Sequence, residues 1–403
     1  MNPTIELEER YCARNYDPLP VVLVKGEGLY VWDDSGKRYL DMMSAYSAVS
    51  HGHCHPRLVK VLTEQAARLA VVSRAFHSDQ LAPLLQKICT MTGQEMALPM
   101  NTGAEAVETA LKAARKWAYR VKGVAPDQAE ILVCDGNFHG RTISIVGFSS
   151  EAQYRDGFGP FPAGFKSLPF GDSDALEAAI TPNTAAFLVE PIQGEGGIIM
   201  PPPGYLKHCA RICSDNNVLL ICDEIQTGLG RTGALLACQH DAVKPDGLIL
   251  GKALGGGLLP VSMFLARREL LEVFGPGDHG STFGGNPLAC AVALEALKVL
   301  EDEGLVKAAA EMGAYFMDRL LSLNNPFIKE IRGQGLLIGV EFMADKISAR
   351  AICERLMASG VLSKETHETV VRFAPPLMIR REQIDFTVDA LAEVLTEMQV
   401  ELS

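Results

Sequence analysis

The chain has 403 residues, 48% of them hydrophobic, enough to bury a large core, and that length fits one large domain plus a smaller one better than a single compact unit. A formal net charge of -12, from 37 basic and 49 acidic residues spread without long blocks, leaves no basic stripe for nucleic acid or for an anionic membrane surface. No stretch approaches the roughly 20 apolar residues of a membrane span, and the acidic start MNPTIELEERYCARNY is unlike a signal or transit peptide, so a cytoplasmic protein acting on small molecules is expected.

From the N-terminus, GLYVWDD, the turn signal Ser35-Gly36 and KRYLDM predict a β-hairpin in a flanking segment, residues 1–45, that packs on the smaller domain. In HGHCHP, residues His51, His53, Cys54 and His55 alternate too tightly to converge on one ion, so the stretch is read as a turn opening the helix that begins near Arg57, and no metal is expected. The ten cysteines lie singly, which suggests buried free thiols and neither a disulfide framework nor a structural zinc. Between about Gln80 and Ala266, the apolar runs EILVCDG, AAFLVEPI, NVLLICDEI, DGLILGKAL and VSMFLAR alternate with helical stretches. They predict strands buried on both faces of a mostly parallel sheet, the large α/β domain at 46–290. The long helical pattern in GNPLACAVALEALKVLEDE leads into a small α+β domain, 291–403, with strands in RGQGLLIGVEFM and TVVRFAPPL and a helix near Ala349 to Ala358. A last helix there aligns Ile384, Val388, Leu391, Leu395 and Met398.

Lys252 follows the run LILG and precedes Ala-Leu-Gly-Gly-Gly, a place that projects an amine from a strand end into the crevice where open α/β sheets bind ligands. Asp223 ends the run VLLIC at the same predicted edge. Taken singly these are an ordinary surface lysine and a salt-bridge acid; together they supply what pyridoxal phosphate needs, an amine for its aldehyde and an acid to keep the ring nitrogen protonated. Asn101-Thr102-Gly103-Ala104 opens a helix whose free amides suit a phosphate, although Thr102 also suits a plain N-cap. Ser281-Thr282, in HGSTFGGNP, suits either another phosphate contact or a close chain crossing.

The segments NTGAEA, GNFHGRT, VEPIQGEGG, DEIQTGLGRTG, LGKALGGG and GSTFGGNPLAC occur in the order seen in class III (subgroup II) aminotransferases of pyridoxal fold type I, and the chain resembles that class from about Asn15 to its C-terminus. Within it, RNYDPLPVVL, SAYSAVSHGHCHP, SRAF, DGFGPF and VRFAPPL resemble the ornithine δ-aminotransferase family. The resemblance implies a pyridoxal 5'-phosphate enzyme of fold type I, at least a homodimer, that uses L-ornithine and 2-oxoglutarate and yields glutamate. It implies that Lys252 carries the cofactor, Phe138 stacks on its ring, Asp223 pairs with its nitrogen and Gln226 meets its phenolic oxygen. Gly103, Ala104 and Thr282 would hold phosphate, Thr282 from the partner subunit. On the substrate side Arg141 and Arg372 resemble carboxylate-binding arginines, Glu195 the acid that faces Arg372, and Tyr16 and Tyr46 the lining of the ornithine site. Two departures, His139 in GNFHGRT and GEGG in place of GEAG, are frequent among acetylornithine aminotransferases and keep N-acetylornithine open as the donor. Either 4-aminobutyrate or a diamine as donor, and a catalytically silent binding protein of the same fold, are the other readings, and Lys252 argues against the last.

Overall fold

The computed structural model describes residues 2–401. Its first strands, β1 (Leu23–Glu27), β2 (Tyr30–Asp33) and β3 (Arg38–Asp41), form an antiparallel meander after a helix at Pro3–Tyr11. The β2–β3 turn is closed by Asp33, whose carboxylate accepts the amides of Ser35 and Lys37, with Gly36 at φ 86 supplying the left-handed step. The expected hairpin is therefore present. In HGHCHP the three imidazoles turn to three different partners: His51 to the Ala296 carbonyl at 3.0 Å, His53 to Asp41 at 2.7 Å and His55 to Glu303 at 3.0 Å. The helix Pro56–Arg68 follows directly.

The central sheet contains β4 (Met96–Met100), β5 (Glu130–Cys134), β6 (Phe165–Leu168), β7 (Thr184–Val189), β8 (Leu219–Asp223), β9 (Gly247–Leu250) and β10 (Ser262–Ala266), in the order β4-β10-β9-β8-β7-β5-β6. Only β10 runs against the others, pairing antiparallel with β4 and β9. The five apolar runs read from the sequence are β5, β7, β8, β9 and β10. The strands absent from that reading are β4 and β6, the two ends of the sheet: β6 carries Lys166 and Ser167 inside it, and β4 contains Pro99, which argues against a strand. Every residue of β7, β8, β9 and β10 is buried, as a sheet covered on both faces requires.

After the helix Pro287–Asp302, capped by Asn286 and packed on the helices Pro56–Arg68 and Leu81–Thr92, the chain builds a second antiparallel sheet. Its strands are β11 (Ile328–Gln334), β12 (Leu337–Phe342), β14 (Lys364–Thr366) and β15 (Val370–Phe373), in the order β11-β12-β15-β14; β13 (Val361–Leu362) instead pairs parallel with β3, tying the N-terminal meander to the C-terminal part of the chain. The final helix, Arg381–Glu401, buries Ile384, Val388, Leu391, Leu395 and Met398, the predicted face. No helix among the described residues is long and apolar enough to cross a membrane.

Candidate active site

β7, β8 and β9 are parallel, with Val189 opposite Cys222 and Asp223 opposite Ile249, so Glu190, Asp223 and Lys252 emerge at one edge of the sheet. Asp223 faces a cavity of about 210 Å³ there, whereas the next residue, Glu224, turns away and accepts the amides of Ala237 and Cys238 at 2.9 and 2.7 Å. Lys252 sits at φ 41, a left-handed conformation that costs a lysine about 1–3 kcal/mol and aims its amine into the same cavity.

Around that cavity the charges are arranged as a chain. Asp223 Oδ1 accepts the Ile225 amide at 3.0 Å, and its Oδ2 lies 2.7 Å from His139 Nδ1. A carboxylate can only accept, so Nδ1 carries the proton. Burial alone would push the His139 imidazole down, but the bond to Asp223 and the charges of Asp223 and Glu190 outweigh it and raise it. Glu190, whose Oε2 accepts the Phe138 amide at 3.0 Å, is pushed up to about 7 by burial; Asp223 adds to this, and His139 and the backbone amides oppose it. Burial also lowers the Lys252 amine, with Glu195 pulling the other way. Glu195 would be raised by burial, yet Arg372, Lys252 and Gln226 hold it at about 2.

The helix Gly103–Trp117 aims its N-terminus at this cavity. Thr102 caps it reciprocally with Glu105, and Gly103 and Ala104, which line the cavity, occupy the first turn, where amides have no carbonyl one turn back to bond. The segment is thus an N-cap that leaves first-turn amides without a helical partner beside the cavity. A Cβ at Gly103 would lie 2.9 Å from Ile225 Cδ1, so a larger residue there would have to displace the Ile225 side chain.

The cavity brings together Gly103, Ala104, Phe138, Glu195, Asp223, Gln226 and Lys252 of the predicted site. Gln226 donates to Glu195 at 3.0 Å, and Arg372, on β15 and 1% exposed, donates to Glu195 at 2.7 Å while its guanidinium lies 4.8 Å from the Tyr46 ring centre. Tyr46 belongs to a left-handed turn, Ser44 to Ser47, with φ between 40 and 74 and no glycine. Asp41 holds this turn through the amides of Met43 and Ser44, and the fully buried Arg231 donates to the Ser44 hydroxyl. Arg141 is exposed and stacks 4.0 Å from the Tyr154 ring centre, without an acidic partner among the described residues. Tyr16, 74% exposed, and Thr282, also exposed, do not line the cavity. Sequence reasoning missed Glu190 and the bond from His139 to Asp223. The signal for Glu190 was available, because it follows an apolar run as Asp223 does.

The family model for class III aminotransferases matches residues 11–395. The chain belongs to the class III aminotransferases. This family member is 58% identical to the ornithine aminotransferase of Brevibacillus brevis, over 98% of this chain and 98% of that one. A crystal structure of the ornithine aminotransferase of Toxoplasma gondii, described as having partial occupancy of PLP at its active site, superposes with a TM-score of 0.97 at 47% identity, covering 99% of this chain and 95% of that one. The acetylornithine aminotransferase of Elizabethkingia anophelis matches with a TM-score of 0.89 at 47% identity, covering 98% of both chains. The fold is accordingly that of the pyridoxal-type aminotransferases, with a large mixed sheet and a smaller antiparallel one.

Proposed function

We propose that this aminotransferase moves the δ-amine of L-ornithine to 2-oxoglutarate, with pyridoxal 5'-phosphate as its cofactor. The products would be glutamate and glutamate 5-semialdehyde, which cyclises to pyrroline-5-carboxylate. The observation that carries the reading is the pairing of Arg372 with Glu195 at 2.7 Å, together with an Arg141 that has no acidic partner among the described residues. An arginine neutralised beside Lys252 suits the δ-end of ornithine, which carries no carboxylate, while the other arginine takes the α-carboxylate at the far end.

The residues present fit the cofactor. His139 Nε2 and Gln226 Oε1 are buried polar atoms without partners at this cavity. When bound, pyridoxal phosphate supplies an aldehyde that takes up amines and a protonated ring that withdraws electrons. In this reading the first-turn amides at Gly103 and Ala104 hold its phosphate, and Thr282 of a second copy in a homodimer completes that cup. Asp223, oriented by His139, keeps the ring nitrogen protonated; Phe138, fixed through its amide by Glu190, covers the ring; Gln226 meets the phenolic oxygen. Lys252 would hold the aldehyde and would move a proton at the donor carbon, a role that an amine lowered by burial suits. Tyr16 and Tyr46 line the donor end. The segments 1–45, 46–290 and 291–403 and a cytoplasmic location belong to the same proposal.

A second reading, N-acetylornithine as donor, is favoured by His139 and by the likeness to the E. anophelis enzyme. Comparing ornithine with N-acetylornithine at saturating 2-oxoglutarate separates the two, and a higher kcat/KM for N-acetylornithine would replace the first by the second.

A further inference from the structure

We infer that Arg350 is a positioning residue that sets donor preference by clamping the Tyr16 segment against the strands that carry Arg372. The inference rests on the ornithine reading, in which Tyr16 meets the far end of the donor. Residues 12 to 22 form no helix or strand, and Tyr16 is 74% exposed, yet it lies within electrostatic reach of the Tyr46 hydroxyl, together with Arg372 and Glu195. An exposed loop can keep such a position only if something holds its backbone. Arg350, on the helix Ala349–Ala358, donates from Nη1 to the Asp17 carbonyl at 3.0 Å and from Nη2 to the Pro18 carbonyl at 3.1 Å. Lys364 adds a longer contact to the Asp17 carbonyl at 3.4 Å. Among the described residues, these are the only hydrogen bonds from residues 15 to 20 to a distant part of the chain.

The guanidinium is itself held. Its Nε donates to Glu354 at 2.9 Å, one helical turn on, and Nη1 lies 3.4 Å from Glu365 on β14. The next residue of β14, Thr366, donates to the Glu195 carbonyl at 2.8 Å, and β14 pairs with β15 so that Lys364 faces Arg372. A continuous set of bonds thus runs from the backbone beside Tyr16, through Arg350 and Glu365, to the strands and the loop that present Arg372 and Glu195. The planar fork of arginine spans two consecutive carbonyls while keeping a third donor for Glu354; the point charge of lysine cannot.

The test uses the holoenzyme and its Arg350→Ala and Arg350→Lys variants. Single-turnover measurements give the half-saturation for ornithine, 4-aminobutyrate and glutamate, and hydrogen exchange is followed in a peptide spanning residues 13 to 20. Arg350→Ala is expected to raise half-saturation for ornithine about tenfold, the scale of one lost hydrogen bond, at an almost constant maximal rate. 4-Aminobutyrate, which lacks the α-amine, and glutamate, which presents its α-amine to the cofactor, should change by less than about twofold. Exchange in the peptide should rise. Equal shifts for all three donors, or no shift for ornithine, would overturn the clamp. If the alanine variant does not fold, Arg350→Lys is expected to show the same selectivity at smaller size, and wild-type values there would overturn the inference. A wild-type enzyme that rejects ornithine would instead overturn the ornithine reading; unchanged exchange in the variants would then overturn the clamp separately.

Discussion

Glu190, Asp223 and Lys252 stand at the ends of adjacent central strands whose every residue is buried, whereas Tyr16 stands on an exposed loop with few polar ties and Arg141 is an exposed side chain with no acidic partner among the described residues. Between them lies Arg372, a fully buried cation on a strand of the second sheet, paired across to Glu195. The difference is one of rigidity. Groups that must hold one proton at one atom are fixed by a sheet whose distortion would expose core, while groups that must accept two differently shaped substrates are placed where the backbone can adjust at low cost. Substitutions at the strand ends should therefore act on the rate with every donor, and substitutions at the outer end should act on the choice between donors.

The largest effect is expected at Lys252. Lys252→Ala should lower turnover with both ornithine and glutamate by at least about a thousandfold, within the range lost with a general acid-base. The melting temperature should change little, because the amine lines a cavity and is not packed in the core. Transamination near the wild-type rate without added amine would remove Lys252 from its role. Asp223→Asn comes next. It leaves an amide that can still accept from His139 but cannot carry the charge, and the loss of one member of a buried pair, about 3 kcal/mol, corresponds to roughly a hundredfold in rate. Both half-reactions should fall together, and unequal losses measured by stopped-flow absorbance would erase the contrast between the two regions.

Glu195→Ala probes the boundary. Freeing Arg372 should favour a donor that presents a carboxylate near the cofactor, so the glutamate half-reaction gains on the ornithine one by about tenfold, the value of one charge-assisted hydrogen bond. Some ornithine should then react through its α-amine. Product analysis of the ornithine reaction, together with the ratio of the two single-turnover rates, checks this, and an unchanged ratio would leave Glu195 a structural acid.

How much of this could be read from the residues follows the same division. Asp223 and Lys252 were visible because each ends a run of buried apolar residues, and a carboxylate or an amine at the end of such a run has few places to go except the crevice. The end strands β4 and β6 were not, since Lys166 and Ser167 interrupt β6 and Pro99 inside β4 speaks against a strand. The left-handed turn of Ser44 to Ser47 was equally hidden, because SAYS contains no glycine to announce a positive φ and the turn is held by Asp41 and Arg231 from elsewhere in the chain. The hold on the Tyr16 segment joins residues more than 300 positions apart, and neither spacing nor periodicity encodes such a meeting. His139 was visible only as a difference between related motifs; its bond to Asp223 required the fold.

The smallest effect is expected at Glu190, and it separates a strand-end group that changes its protonation from one that merely supports its neighbours. An unfolded glutamate loses its proton near pH 4.5, whereas burial pushes Glu190 in the folded protein up to about 7. As pH rises through that interval the unfolded chain gives up this proton first, so the folded state binds more protons and stability must fall with rising pH. The fall begins near pH 4.5 and ends near pH 7. Its slope cannot exceed about 1.4 kcal/mol per pH unit for one proton, and its total is a few kcal/mol at most. Glutamine can keep the acceptor for the Phe138 amide but cannot ionise, so Glu190→Gln should remove this component and gain on the wild type as pH rises from 5 to 8. Measuring the difference between the two proteins cancels every other titrating group that the substitution leaves alone. Denaturant unfolding of the cofactor-free proteins at several pH values gives that difference directly. Parallel curves would mean that Glu190 is ionised in the folded protein throughout, held by His139, and that the strand-end wall carries one more fixed charge than burial permits.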